Sequence, residues 1–90
     1  MIHETLTSLQ GREVLERAKK FFAERVPHQA AFVEKEGPNF ATFRGQGGEE
    51  LAIAVFPGDR GTRVRASSLF YDQAIDRFFS TLPPAQESAA

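Results

Sequence analysis

The sequence predicts an α+β fold, a two-layer sandwich in the order helix-β-β-β-β-helix, with a four-stranded antiparallel meander and both helices on one face. Three observations carry this. Glu50 to Phe56 alternates Leu51, Ile53 and Val55 with Ala52, Ala54 and Phe56, the period-two pattern of a strand with one thick apolar face and one thin one. Segments 12–26 and 69–82, on either side of the strand region, carry apolar stripes at helical spacing. Each connection between strands is too short for a parallel crossover, so neighbours run antiparallel.

Taken in order, residues 1–6 read as a flexible leader, 7–83 as a single domain and 84–90 as a disordered tail of small and polar residues. Thr7 with Gln10 offers a capping box, although Gly11 follows closely. The first helix then buries Val14, Leu15, Ala18, Phe21, Phe22 and Val26, and Pro27 ends it. Its outer side pairs Glu13 with Arg17 and Glu16 with Lys20, a self-compensated solvated face.

The strands follow. Segment 29–35 alternates, Glu36-Gly37 reverses it, and Asn39 to Arg44 returns with Phe40 and Thr42 on one side and Ala41 and Phe43 on the other. Gly45-Gln46-Gly47-Gly48 leads into the strand around Ile53, which Pro57 and Gly58 stop. Thr62 to Ser67 is the return strand. Val55 opposite Val64 places Ile53 by Ala66, Ala54 by Arg65 and Phe56 by Arg63; a slip of one residue would put both arginines in the core. Ser67 or Ser68 then caps the second helix, whose stripe is Tyr71, Ile75, Phe78, Phe79 and Leu82, and Pro83-Pro84 forbids its continuation.

With both helices on the face of Val33, Phe40, Leu51, Ile53, Val55, Val64 and Ala66, the other face meets water or a partner. The expected registers align Phe32, Ala41, Ala52 and Ser67 in one row, Glu34, Asn39, Ala54 and Arg65 in the next, and Ala30, Phe43 and Glu50 in a third. Phe56 faces Arg63 at the far end. The candidate contact surface is therefore Phe32, Ala41, Phe43, Ala52, Ala54, Phe56, Arg63 and Arg65, an alanine floor ringed by aromatics and arginines. A first hairpin slipped by one residue would instead make Phe32 a core residue. The surface leads to the expectation of a non-enzymatic interaction module that forms a homodimer, with a heterologous protein as another possible partner. Two other occupants fit less of the pattern: single-stranded nucleic acid stacked on the phenylalanines, and an apolar ligand between helices and sheet near Phe22, Phe40, Tyr71 and Phe78.

Composition narrows the classes. A 90-residue chain is one domain, able to bury about 60–65 per cent of its unfolded surface. A net charge of −1 lacks the basic excess of a dedicated nucleic-acid binder. Without cysteine there is no disulfide framework or thiolate site, and without a signal-peptide pattern or long apolar run the expectation is a soluble, cytoplasmic protein with no membrane span. No cofactor is called for. His3 in the leader and His28 in a loop read as exposed bystanders, and Asp72 with Asp76 as ordinary helix-surface carboxylates rather than cation ligands. The glycine loop precedes a strand, so it lacks the helix N-terminus that cradles phosphate. Asp59-Arg60 reads as a turn, and Tyr71 as a stripe residue whose hydroxyl reaches the surface. The helix-and-strand order resembles one repeat of the TATA-binding-protein-like or helix-grip architectures without its first strand, a likeness of topology that implies no function.

Overall fold

A computed structural model describes residues 2–26 and 30–85. In chain order its elements are β1 (Ile2–Thr7), α1 (Gly11–Glu24), β2 (Ala31–Gly37), β3 (Phe40–Gly45), β4 (Glu50–Gly58), β5 (Gly61–Ser68) and α2 (Asp72–Ser80). The strands form one open antiparallel sheet in the order β1-β5-β4-β3-β2. The class is α+β, with a strand ahead of the first helix.

That strand is the stretch expected as a leader. It runs antiparallel to β5 from Ile2 opposite Ser67 to Thr7 opposite Thr62. Ile2, Glu4 and Leu6 are exposed while Thr7 is fully buried, so the segment alternates as a half-covered strand does. Its C-terminal end is fastened at two levels. The Thr7 hydroxyl and the Ser8 N–H both donate to the Pro83 carbonyl, at 2.6 and 3.2 Å, and Thr7 bridges Pro84. Thr7 is therefore not a helix cap. Gln10 is, without a side-chain bond, and Gly11 opens the helix because a Cβ there would fall 2.7 Å from Val55 Cγ2. Pro84 belongs to this junction rather than to a tail; 86–90 lie outside the described residues, as do Pro27 and His28.

Helix α2 is shorter than 69–82. The Ser68 hydroxyl accepts the N–H groups of Phe70 and Tyr71 at 3.0 and 2.9 Å and donates to the Glu50 carbonyl at 3.1 Å. It thus orders the turn ahead of the helix, and Leu69 is left outside both.

The residues that α1 and α2 bury form one cluster with a single parity of the sheet: Ala41 and Phe43 of β3, Leu51, Ile53 and Val55 of β4, Val64 and Ala66 of β5. Ring contacts close the space between the helices. Phe22 meets Phe78, Phe43 and Tyr71 at centroid distances of 5.5, 5.8 and 6.3 Å. The lining expected for an apolar ligand is not brought together there, since these rings pack on one another and Phe40 stands on the other face.

The β4–β5 register is the one the arginines demanded: Val55 opposite Val64, Ile53 opposite Ala66, Ala54 opposite Arg65 and Phe56 opposite Arg63. Strand β4 runs on through Pro57 to Gly58. Val55 directs its N–H to the Asn39 carbonyl at 2.8 Å, so Pro57, two residues on, turns its nitrogen to the same side, beyond the end of β3, where no ladder partner is needed.

Strand β3 departs from expectation by one residue. Ala41 lies opposite Ile53 and Phe43 opposite Leu51, so both are buried on the helix side and leave the candidate surface. The reason is Arg44. It shares parity with Phe40 and Thr42, and turning those two inward would bury a guanidinium. The β2–β3 reversal is consequently at Pro38-Asn39, with Gly37 opposite Phe40, and a bulge between Val33 and Lys35 absorbs the extra residue. Phe32 stays outside the core at 53% exposure.

This parity has a measurable consequence. Phe43→Ala should cost about 3–5 kcal/mol of unfolding free energy, whereas Phe32→Ala should stay within about 0.5 kcal/mol. Urea titrations of the two variants, at chain concentrations low enough to keep the chain monomeric, check it, and equal losses would contradict the register.

Candidate functional site

The side of the sheet away from the helices is built from the remaining parity. From β1 across to β2, one row runs Ile2, Ser67, Ala52, Thr42, Lys35, and the next runs Glu4, Arg65, Ala54, Phe40, Gly37. Leu6, Arg63 and Phe56 form a shorter row near the Gly58–Gly61 turn, and Glu50, Arg44 and Phe32 another near the Gly45–Glu50 loop. Of the expected surface residues, Phe32, Ala52, Ala54, Phe56, Arg63 and Arg65 are on this face, and Ala41 and Phe43 are not.

The face carries apolar residues that sequence reasoning placed elsewhere. Ile2 and Leu6 arrive with β1, and the alternation Ile2, Glu4, Leu6 was the available signal. Phe40 comes with the corrected β3 parity, its ring over Gly37 on the neighbouring strand, where a Cβ would collide with it. Leu69 and Phe70 stand at the loop end, Leu69 at 97% exposure because the Ser68 turn holds it clear of both sheet and helix. The floor between these side chains is low. A trough of about 780 Å³ runs from Thr42 and Lys35 over Ala52 and Ser67 to Ile2, Leu69 and Phe70, and a shallower one of about 290 Å³ lies over Ala52 and Ala54 toward Phe40 and Arg65.

Charges on the face are largely matched within the chain. Arg44 Nη2 bonds Glu34 at 3.1 Å and Glu50 at 2.9 Å, and its Nη1 donates to the Gly48 carbonyl at 3.0 Å. The guanidinium holds the Glu34 carboxyl below its usual range, and Glu34 first, then Glu50, push Arg44 up. Arg65 lies 3.7 Å from Glu4, and Arg63 sits over the Phe56 ring, 5.6 Å from its centroid. On the helix side, Lys19 pairs with Glu16 at 3.3 Å and with Glu36 at 2.6 Å.

His3 is not a bystander in a leader. Nε2 lies 2.9 Å from Asp72 Oδ1 and Nδ1 3.3 Å from Asp76 Oδ1, tying β1 to α2. The two nitrogens face different carboxylates, so the three groups do not converge on one ion. Among the described residues no set of three or more His, Cys, Asp or Glu side chains is arranged to hold a metal, and no helix is long and apolar enough to cross a membrane. The chain matches no family model, no curated protein and no solved structure.

Tyr71 departs from expectation. Its side chain is buried, its hydroxyl has no hydrogen-bond partner among the described residues, and a Cβ on Gly45 would collide with it. Desolvation first, then the Glu49 charge, pushes the phenol up. A raised folded value means that stability is full below the ordinary tyrosine value of about 10 and falls as pH rises from there through the folded value, because only the unfolded chain then releases its proton. As this is the chain's one tyrosine and there is no tryptophan, ultraviolet titration reads it directly. The phenol should ionise above the ordinary value of about 10, and Tyr71→Phe should abolish this part of the alkaline loss while raising stability by about 1 kcal/mol. Ionisation at the ordinary value would contradict the burial.

Proposed function

We propose that this protein is an interaction module whose open sheet face packs against the same face of a second copy. One observation carries the proposal: Ile2, Leu6, Phe32, Phe40 and Phe56, five of the seven exposed large apolar side chains among the described residues, stand on that single face around Ala52 and Ala54. Antiparallel sheets that face solvent ordinarily show polar residues there. Small residues at the centre let two sheets approach to about 10 Å, with the larger side chains interdigitating around them.

The area suits a stable pair. Five strands spaced about 4.8 Å span roughly 24 Å, and strand lengths of about 20–30 Å give a flat footprint of roughly 500–700 Å². Relief from the aromatic side chains brings this toward the about 800 Å² per partner of a standard interface. Charge favours a protein of mixed sign over a phosphate backbone. Arg44 and Arg65 already have carboxylate partners, and Arg63 an aromatic one, so few cations of this face remain for phosphates.

Light scattering coupled to size exclusion should give twice the chain mass at about 100 µM and a fall toward one chain on dilution. Ala52→Arg adds a long charged side chain at an exposed position, so it should leave the circular dichroism unchanged and weaken association by at least about tenfold. A wild-type monomer at several hundred micromolar would remove the proposal. Shifts of Phe32 and Arg63 amides on adding an oligonucleotide at low salt would transfer the face to nucleic acid instead.

A further inference from the structure

Two large apolar side chains stand outside the rows of the open face. Leu51 opposite Ser68 is the last pair of the β4–β5 ladder, so Leu69 and Phe70 lie past the end of the strands. Leu69 is 97% exposed, almost without cover from its own chain, and Phe70 is 49% exposed. The backbone that presents them is nevertheless held. The Ser68 hydroxyl accepts the N–H groups of Phe70 and Tyr71 while donating to the Glu50 carbonyl, and the Phe70 ring stands edge to face with the Tyr71 ring at 5.3 Å. With Ile2, the two side chains rim the trough of about 780 Å³ whose floor is Ala52, Ser67 and Thr42.

Resting on the reading that a second copy covers this face, we infer that the Leu69-Phe70 turn is the anchor of that contact, each copy seating its Leu69 in an apolar recess of the other. Area is the first argument. The strands alone give a flat footprint of roughly 500–700 Å², short of the about 800 Å² per partner of a standard interface. Leu69 and Phe70 lie outside that footprint and extend it, the exposed half of the phenylalanine alone by about 100 Å². Preorganisation is the second argument. A turn already held by hydrogen bonds has little backbone freedom left to lose on contact, and such ordering is one of the main costs of association. A recess to receive Leu69 is present for either direction of stacking. A two-fold axis along the strands brings it over the other copy's loop-end trough, and one across the strands brings it over a recess of about 400 Å³ at the turn end, lined by Leu6, Phe56 and Arg63. An isologous contact occurs in duplicate, so each dimer has two such anchors.

The test is substitution of Leu69, read by light scattering and analytical ultracentrifugation. Leu69→Ser removes a side chain that the protomer does not use, so at monomeric concentrations it should leave the circular dichroism and the urea midpoint unchanged. It should weaken self-association by about tenfold or more, since an anchor is lost from both contacts. Leu69→Met keeps the apolar bulk and should recover most of that loss. Leu69→Trp reads the contact directly: the chain has no tryptophan, so the emission of this variant should move to shorter wavelength as concentration rises, in step with the mass. If Leu69→Ser pairs as tightly as the wild type, or the Leu69→Trp emission stays that of an exposed indole while the mass doubles, the anchor is wrong although the dimer stands. A wild type that does not pair at all overturns the dimer itself.

Discussion

One constraint governs this molecule: two aromatic helices compete for the single thick face of one sheet. Leu51, Ile53 and Val55 on the central strand β4 are at most 2% exposed, and the opposite parity of the same strand offers Ala52 and Ala54. A phenylalanine stripe gains roughly 1.5–3 kcal/mol per ring on burial, which a thin alanine surface supplies poorly. Both helices therefore crowd the thick side, and Phe22, Phe43, Tyr71 and Phe78 interlock to close the space between them. The bare face is the consequence of that crowding, so the proposed contact surface follows from the core.

How much of this could be read from the residues depended on where a charge pinned the parity. In β4 and β5 the alternation of Arg63 and Arg65 against Val64 and Ala66 admitted one register, and that register is present. The same logic was available in β3, where Arg44 shares parity with Phe40 and Thr42, but Phe40 drew the apolar face to the wrong side. Ala41 and Phe43 were misplaced as a result, while Phe32 kept its side because the β2 bulge restored the phase. Strand β1 was missed for a different reason. Its inward residues are His3, Thr5 and Thr7, and hydrogen bonds from His3 to Asp72 and from Thr7 to the Pro83 carbonyl make an inward polar row acceptable. Those partners lie more than sixty residues away in sequence, and local alternation of apolar residues does not announce them.

The edges of the sheet bear on how the chain meets a second copy. An open sheet exposes unpaired backbone groups along both outer strands, which invites strand-to-strand growth. Here β2 carries a bulge beside the consecutive charges Glu34, Lys35 and Glu36, and β1 is six residues long and fastened at one end to Pro83 and through His3 to α2. These features oppose the regular ladder that edge pairing requires. What remains is the face, where the proposed contact is made by side chains and closes after two copies.

Size gives that contact thermodynamic weight. A domain of this length covers its core with two helices, and the described residues include no third layer to protect the far side of the sheet. In the proposed assembly the partner's sheet is that layer, so the order becomes helices, sheet, sheet, helices, and a face that costs solubility in the protomer becomes an interior. Folding and association are then linked by mass action, with each tenfold rise in chain concentration above the dissociation constant adding about 1.4 kcal/mol of apparent stability per dimer, about half of that per chain. The unpartnered Tyr71 hydroxyl lies on the other side of the sheet, in the core beneath Gly45, and is outside this linkage. Its cost belongs to the fold alone, whereas in the proposed assembly the apolar side chains around Ala52 and Ala54 exert their stabilising effect only when a second sheet arrives.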